Sequence, residues 1–357
     1  MRIAVLGVGL IGGSIGLAAR EHADGAEVVG FGRSRERIER ARELGAIDLA
    51  AGSLEEALDG AEACFACGPV GALPGQVRDA LAAAGPDCVV SDVGSTKRAL
   101  MEAIEDERFV GGHPVAGAET SGVEHARGDL FQGAVWYLTP HERSSGLLYE
   151  RLYRLVVSFG ARPVAIDAAT HDRLLAAVSH LPHVLANVLV SQAARALAEG
   201  EPLPRVGPSF RDATRVAGAS SEVWTDIYLS NRDAIAEEIE LTVERLRAVA
   251  ADLRSGDPAA LESWNEGARE DRRRLLEADL AGGQVHELRL TVPNRPGIVA
   301  QVALALGKAD VNIVDMALAP APDMRSGAMT LWIAGDAEAA RARELIAELG
   351  FPVDEPA

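Results

Sequence analysis

The chain has 357 residues, more than one ordinary core holds, and its 48% hydrophobic and 25% charged composition is that of a folded rather than a disordered protein. Its 35 basic against 53 acidic side chains leave a net charge of −18, a field that repels nucleic acid and anionic membrane surfaces. The same field repels an anionic substrate, so such a ligand requires a local cluster of arginines to offset it.

At the N-terminus, Ile3 to Ala19 is uncharged and follows Arg2, the outline of a secretory leader. Glycines 7, 9, 12, 13 and 16 interrupt the run, and that spacing suits a strand-turn-helix better than an apolar helical plug. No later uncharged run is read as membrane-spanning, and the expected location is the cytoplasm. Short β-branched runs then alternate with helical patterns up to residue 166. The candidate strands are Arg2 to Leu6, Glu27 to Phe31, Ala63 to Cys67, Cys88 to Asp92, Phe109 to Gly111, Val135 to Thr139 and Arg162 to Ile166. Helices in the gaps make this an α/β, Rossmann-type parallel-sheet domain over 1–166.

From 167 to 282 the periodicity is that of long amphipathic helices, such as Leu174 to Leu197 and Ile235 to Leu253, and predicts an all-helical second domain. Gly282-Gly283 punctuates the chain. Residues 284–357 then read as Val285 to Val292, a helix from Gly297 to Ala309, Val311 to Leu318, Ala328 to Ala334, a helix from Ala337 to Leu349, and Phe351 to Val353. That order is βαββαβ, a small third domain of about 70 residues.

Cys64, Cys67 and Cys88 are too few for a disulfide framework. Cys64 and Cys67 form a C-x-x-C inside an apolar run with no second pair to complete a zinc site, so buried, inert thiols are expected.

Gly7, Gly9 and Gly12 fit G-x-G-x-x-G between a predicted strand and a predicted helix. The first glycine permits the tight turn, the second lets backbone amides reach a pyrophosphate, and the third allows close packing, with Leu10 and Ile11 opening the helix. An acidic residue for the ribose 2′-hydroxyl is expected about 20 positions on. That corner reads Gly30-Phe31-Gly32-Arg33-Ser34-Arg35. Arg33 and Ser34 suit a 2′-phosphate, which favours NADP over NAD; in the competing reading Arg33 and Arg35 are solvated helix-start residues and NAD is accepted.

Gly111-Gly112-His113-Pro114 places an imidazole at a strand end, where ligands of such sheets bind. His113 is the candidate to take the proton of an alcohol whose hydride goes to the nicotinamide. Ser95 either bridges His113 and the substrate hydroxyl or caps a helix starting at Thr96. Arg215 offers a planar fork for a carboxylate, and Arg211 lies four residues earlier. Asp212 is read as orienting a neighbouring cation, and Trp224 either walls the pocket or belongs to the core. His180 and His183 have i,i+3 spacing, but Pro182 lies between them and no further ligand follows, so no metal is expected.

These blocks, with Asp92-Val93-Gly94-Ser95-Thr96-Lys97, Ala116 to Gly122, Val178 to His183 and Phe210 to Arg215, resemble the prephenate dehydrogenase family, which oxidatively decarboxylates prephenate or arogenate in the tyrosine pathway. The resemblance implies His113 as the hydroxyl partner, Arg215 on the ring carboxylate, His171 and His183 in the substrate pocket, Glu119 near its mouth, and a homodimer formed through the helical domain. Ala118 stands where relatives often carry Thr, which leaves prephenate and arogenate as alternatives.

Asn294-Arg295-Pro296-Gly297-Ile298-Val299, followed by Ala309 to Ile313, resembles an ACT domain, an amino-acid sensor. Asn294, Pro296, Gly297, Ile298, Asn312 and Ile313 are its candidate effector residues, with tyrosine the expected feedback inhibitor. Two further readings stand beside this one. A hydroxyacid or imine reductase would call for a Lys or Asp of the helical domain, whereas the lysines are Lys97 and Lys308. A sensor that keeps the nucleotide fold as a scaffold would bind ligand without turnover.

Overall fold

The computed structural model describes residues 1–23, 25–117, 120–198, 206–278, 285–293, 298, 301–302, 305–306, 309, 311, 313–321 and 326–354. The chain divides into two compact units, Met1–Glu244 and Arg245–Ala357.

The first unit is built on an eight-stranded sheet. Its strands are β1 (Arg2–Leu6), β2 (Glu27–Phe31), β3 (Leu49–Ala50), β4 (Ala63–Ala66), β5 (Val89–Asp92), β6 (Phe109–Pro114), β7 (Val135–Pro140) and β8 (Arg162–Ala165), in the order β3-β2-β1-β4-β5-β6-β7-β8. The interleaved helices are α1 (Leu10–His22), α2 (Arg35–Glu43), α3 (Leu54–Leu58), α4 (Leu73–Ala83), α5 (Arg98–Ala103) and α6 (Gly146–Ser158). β1, β4, β5 and the start of β6 are buried on both faces, which is why they read as apolar runs rather than alternating ones. Phe65, Phe131, Trp136 and Phe159 meet under one face with ring centroids 5.0–6.4 Å apart.

The sheet departs from the expected parallel arrangement at one joint. β6 and β7 are antiparallel, with His113 opposite Tyr137, while β7 and β8 are parallel to each other. The cause lies in the connections. A parallel neighbour requires a crossover element, which α6 supplies between β7 and β8. Between β6 and β7 the described chain holds only a short 3₁₀ turn, Val123–His125, so β7 returns in the opposite sense. The two-residue β3 was not foreseen.

The expected single helix from Leu174 is divided. α7 (Ala168–Leu175) passes through a π-helical turn, Ala176–His180, into α8 (Leu181–Ala198). Pro182 has no N–H to give the Val178 carbonyl, and the widened turn carries Leu181 N–H to Ala176 instead. Residues nine apart lie on opposite sides of a regular α-helix; one extra residue in the turn brings His171 and His180 to within about 80° of each other.

Residues 168–195 are also long and apolar enough to cross a membrane by length and composition, which the sequence reading had not recognised. Four of the polar side chains of that stretch, His171, Asp172, His180 and His183, are buried among partners within the protein, while Arg173, Ser191, Gln192 and Arg195 are exposed. The unit continues with α9 (Pro208–Thr214), a 3₁₀ turn at Arg215–Gly218 and α10 (Ser221–Ser230), while α11 (Arg232–Ser255) runs on into the second unit.

In the second unit, α12 (Pro258–Ala278) precedes a four-stranded antiparallel sheet. Its strands are β9 (Val285–Pro293), β10 (Ile313–Pro320), β11 (Ser326–Ala334) and β12 (Val353–Asp354), ordered β10-β11-β9-β12, with α13 (Asp336–Glu348) packed on β9 and β11. Leu288, Leu290 and Val292 alternate inward and meet Ile298, Val302, Leu306, Leu331, Ala342 and Ile346.

Candidate active site

The turn after β1 has the shape a dinucleotide requires. Gly7 sits at φ +98°, and its N–H donates to the Phe31 carbonyl at 2.8 Å, closing the turn. A Cβ on Gly9 would meet nothing within 4 Å, so the space beside it is open to a ligand. Gly12 is packed directly over the turn. α1 starts at Leu10 with no side-chain cap and no acid in its first turn, so its N-terminal partial charge is left for an anion. These residues fit a pyrophosphate. At the end of β2, Arg33 and Arg35 are exposed, and Ser34 caps α2 by accepting from Arg37 N–H at 3.3 Å.

His113, one residue before the end of β6, is 8% exposed. Its Nδ1 lies 2.9 Å from Nε2 of His171, whose own Nδ1 lies 2.8 Å from Oδ1 of Asp172. His171 thus has both ring nitrogens engaged and is fully buried, standing directly behind His113. Asp172 also accepts the backbone N–H of Lys97 at 2.7 Å and of Arg98 at 2.9 Å. It caps α5 from a different element. The helix therefore begins at Arg98 rather than Thr96, and the capping role weighed for Ser95 is filled by Asp172; Ser95 is half-buried at the turn after β5.

Behind this row lies a buried ion pair. Lys97 Nζ and Asp92 Oδ2 are in direct contact, both side chains wholly buried. Asp92 also accepts from Gly112 N–H at 3.0 Å and Gly94 N–H at 2.8 Å, which ties β6 to the turn holding Ser95. Burial, then the neighbouring His171, Lys97 and His180, hold the His113 imidazole well below its ordinary pKa. It is therefore neutral and able to accept a proton. Burial works to raise the pKa of Asp172, but hydrogen bonds from His171 and the amides of Arg98 and Lys97 outweigh it, and the carboxyl stays below its ordinary range.

His180 is 1% exposed, and Nδ2 of Asn231 reaches both its Nδ1, at 3.1 Å, and the Asp172 carbonyl, at 2.7 Å. Burial depresses its pKa to about 4. Its ring meets the edge of Trp224, and Trp224 in turn stacks on His183 with centroids 3.5 Å apart and planes at 6°. His183 Nδ1 is bonded to the Tyr228 hydroxyl and, at 3.2 Å, to Nδ2 of Asn187. Burial lowers the His183 pKa, opposed by the Val216 backbone beside it. A run of contacts thus leads from His113 to Val216, the neighbour of Arg215.

Arg215 is exposed in the 3₁₀ turn that packs on α8, while Arg211 and Asp212 are exposed on α9. A cleft of about 440 Å³ lies beside the His183–Tyr228 pair, lined by Val184, Asn187, Val188, Ser191, Gln192 and Tyr228, not by His113. Ala118 and Glu119 lie outside the described residues, as do Asn294, Pro296, Gly297 and Asn312; Ile298 is buried in the second unit's core and Ile313 opens β10.

Asp172, Asn231, Asn187 and Tyr228 were not foreseen. Asp172 adjoins His171 in sequence, but adjacency does not reveal that its carboxylate reaches both the ring and another helix. The thiols of Cys64 and Cys88 are buried and that of Cys67 half-buried, all free, and burial pushes their pKa values up, that of Cys88 to about 11. They are poor nucleophiles. Among the described residues no group of three or more His, Cys, Asp or Glu is placed to hold a metal ion.

Comparison with known proteins gives the arrangement its context. Residues 15–165 match the family model of the prephenate dehydrogenase nucleotide-binding domain, and residues 167–265 that of the prephenate dehydrogenase dimerization domain. A prephenate dehydrogenase of Bacillus subtilis is 29% identical over 354 residues, 96% of this chain and 95% of that protein. One of Lactococcus lactis is 30% identical over 315 residues, 85% and 86% of the two chains. The crystal structure of Aquifex aeolicus prephenate dehydrogenase in complex with hydroxyphenyl propionate and NAD⁺ superposes with a TM-score of 0.73 at 27% identity, covering 77% of this chain and 98% of that one. With the glycine turn, the buried imidazole row and two consecutive family matches in one chain, the protein belongs to the prephenate dehydrogenase family.

Proposed function

We propose that the protein is an NAD(P)-dependent prephenate dehydrogenase that oxidatively decarboxylates prephenate to 4-hydroxyphenylpyruvate in tyrosine biosynthesis. The observation that carries this reading is the neutral, backed imidazole of His113 in the same unit as the dinucleotide turn. The bound dinucleotide supplies the hydride acceptor, held by the Gly7–Gly12 turn and the start of α1, with Arg33 and Ser34 at the ribose corner.

The rest of the chemistry falls to side chains. As hydride leaves the carbinol carbon, His113 takes the hydroxyl proton. When the bond to the ring carboxylate breaks, carbon dioxide departs and its electron pair enters the ring, and the proton returns to the oxygen as the phenol forms. The proton is borrowed and not consumed, so a weak base at a fixed distance suffices. Arg215 is assigned to the ring carboxylate, Ser95 to the hydroxyl, His183 and Trp224 to the pocket wall, and Asp212 to orienting a cation.

We assign 1–166 to cofactor binding, 167–282 to substrate binding and homodimer formation, and 284–357 to an ACT-like regulatory domain that responds to tyrosine. The β10-β11-β9-β12 order, with each neighbouring pair antiparallel, supports that last assignment, being the arrangement a βαββαβ chain makes when its third strand pairs with its first. The deciding experiment is a spectrophotometric assay of nicotinamide reduction with prephenate or arogenate against NAD or NADP. Turnover of prephenate is expected; binding without turnover would reject the reading.

A further inference from the structure

We infer that Asp172 is a positioning residue for the reaction: through His171 it fixes which nitrogen of His113 carries a proton, leaving Nε2 as the acceptor that faces chemistry. The inference rests on the reading of His113 as the proton acceptor.

Proton bookkeeping carries it. An ionised carboxylate has no proton to give, so across the 2.8 Å contact His171 Nδ1–H must donate to Asp172 Oδ1. His171 is then left with a lone pair on Nε2, and across the 2.9 Å contact it accepts from His113 Nδ1–H. A neutral imidazole with its proton on Nδ1 has its lone pair on Nε2. One carboxylate two rings away thus sets the tautomer a base requires. The carboxylate is itself held in place, because the amides of Lys97 and Arg98 complete three donors on its two oxygens.

The same row steadies the charge that forms. When Nε2 takes the hydroxyl proton, His113 becomes an imidazolium whose Nδ1–H already points at His171, and the Asp172 anion lies behind it. Opposing this are Lys97, whose charge is matched by Asp92 at the end of β5, and His180, held by Asn231; Tyr137 of β7 lies edge-on to the His171 ring, 5.5 Å away. Asp172 is the group of this set with net negative charge on the His171 side, so its removal weakens the base.

The test uses the full chain with prephenate and the preferred dinucleotide. Asp172→Asn removes the charge, and His171→Gln breaks the row while leaving Asp172 on the Lys97 and Arg98 amides. Each is expected to lower kcat by on the order of 10–10³-fold with KM within about twofold. The acid limb of the kcat–pH profile moves to lower pH, since the imidazole loses its anion; a purely structural role would leave that limb in place. The double variant falls no further than the weaker single, because Asp172 acts through His171.

If both single variants keep wild-type kcat and an unmoved acid limb, the inference is overturned. If Asp172→Asn does not fold for want of its capping role, His171→Gln alone decides by the same two readouts. Wild-type protein that does not turn over prephenate rejects the proposed function and the inference with it, whereas wild-type turnover with unaltered variants rejects the inference alone.

Discussion

A Cβ built on Gly12 would lie 2.3 Å from the carbonyl oxygen of Gly7 and 3.0 Å from a methyl of Val5, whereas one built on Gly9, two residues after Gly7, meets nothing. The two glycines therefore serve different ends. Gly12→Ala is expected to destabilise the protein by roughly 1–3 kcal/mol or more, because backbone cannot yield as a side chain can. Gly9→Ala is expected to fold with a loss of about 1 kcal/mol or less, yet to weaken dinucleotide binding by filling the ligand's space. Thermal unfolding and a dinucleotide titration separate the two; equal stability losses would contradict the assignment.

His113→Asn keeps a polar side chain of similar reach but has no base. Turnover should fall by on the order of 10²–10⁴-fold while dinucleotide affinity is kept. Steady-state kinetics and titration of the reduced cofactor check both parts, and a variant with near-normal kcat would remove His113 from the mechanism.

For Arg215→Ala the loss is expected in substrate binding, about 2 kcal/mol or more in prephenate KM, with the KM of the dinucleotide unchanged. The fork geometry makes Arg215→Lys an incomplete rescue. Native substrate affinity in the alanine variant would contradict the assignment to the ring carboxylate.

Stability should depend on pH through His180. Its pKa is depressed from 6.5 to about 4 in the folded state, so the unfolded chain binds more protons in that window. Stability from this group is complete above the unfolded value and is lost as pH falls from about 6.5 through 4, by roughly 3 kcal/mol. His113 and His183, also depressed, add to the same slope. Denaturant titrations at several pH values should show a shallower slope for His180→Gln; an identical slope would place the effect elsewhere.

Deleting residues 284–357 should abolish inhibition by tyrosine and spare catalysis. Inhibition curves of the full and shortened chains decide it, and retained sensitivity would move the effector site out of the C-terminal region.

Much of this architecture was legible before any coordinates. The glycine spacing marked the turn, and β-branched runs located β1, β2 and β4 to β8 to within a few residues, most plainly β1, β4 and β5, because a doubly buried strand must be apolar along its length. In the C-terminal region β9, β11 and α13 fell within two residues of their expected bounds. The direction of β7 was not legible, since it depends on what the chain between 115 and 134 does rather than on β7 itself. The π turn escaped for a related reason: Pro182 signalled trouble, but a widened turn and a broken helix leave the same trace in sequence. Asp172 was missed because its value comes from two partners some 75 residues away in sequence, Lys97 and Arg98.

The Asp92–Lys97 pair has a consequence for how this protein tolerates change. Two opposite charges sealed from water cannot be altered singly: loss of either strands the other, at a cost of about 3–5 kcal/mol. A matched apolar pair would spare that penalty, but it would also strip a cation from beside His113 and unhook the Gly112 amide that seats it. The two positions are thus held on one side by solvation and on the other by the seat of the imidazole, a double lock under which neither side chain can be exchanged without answering for the other.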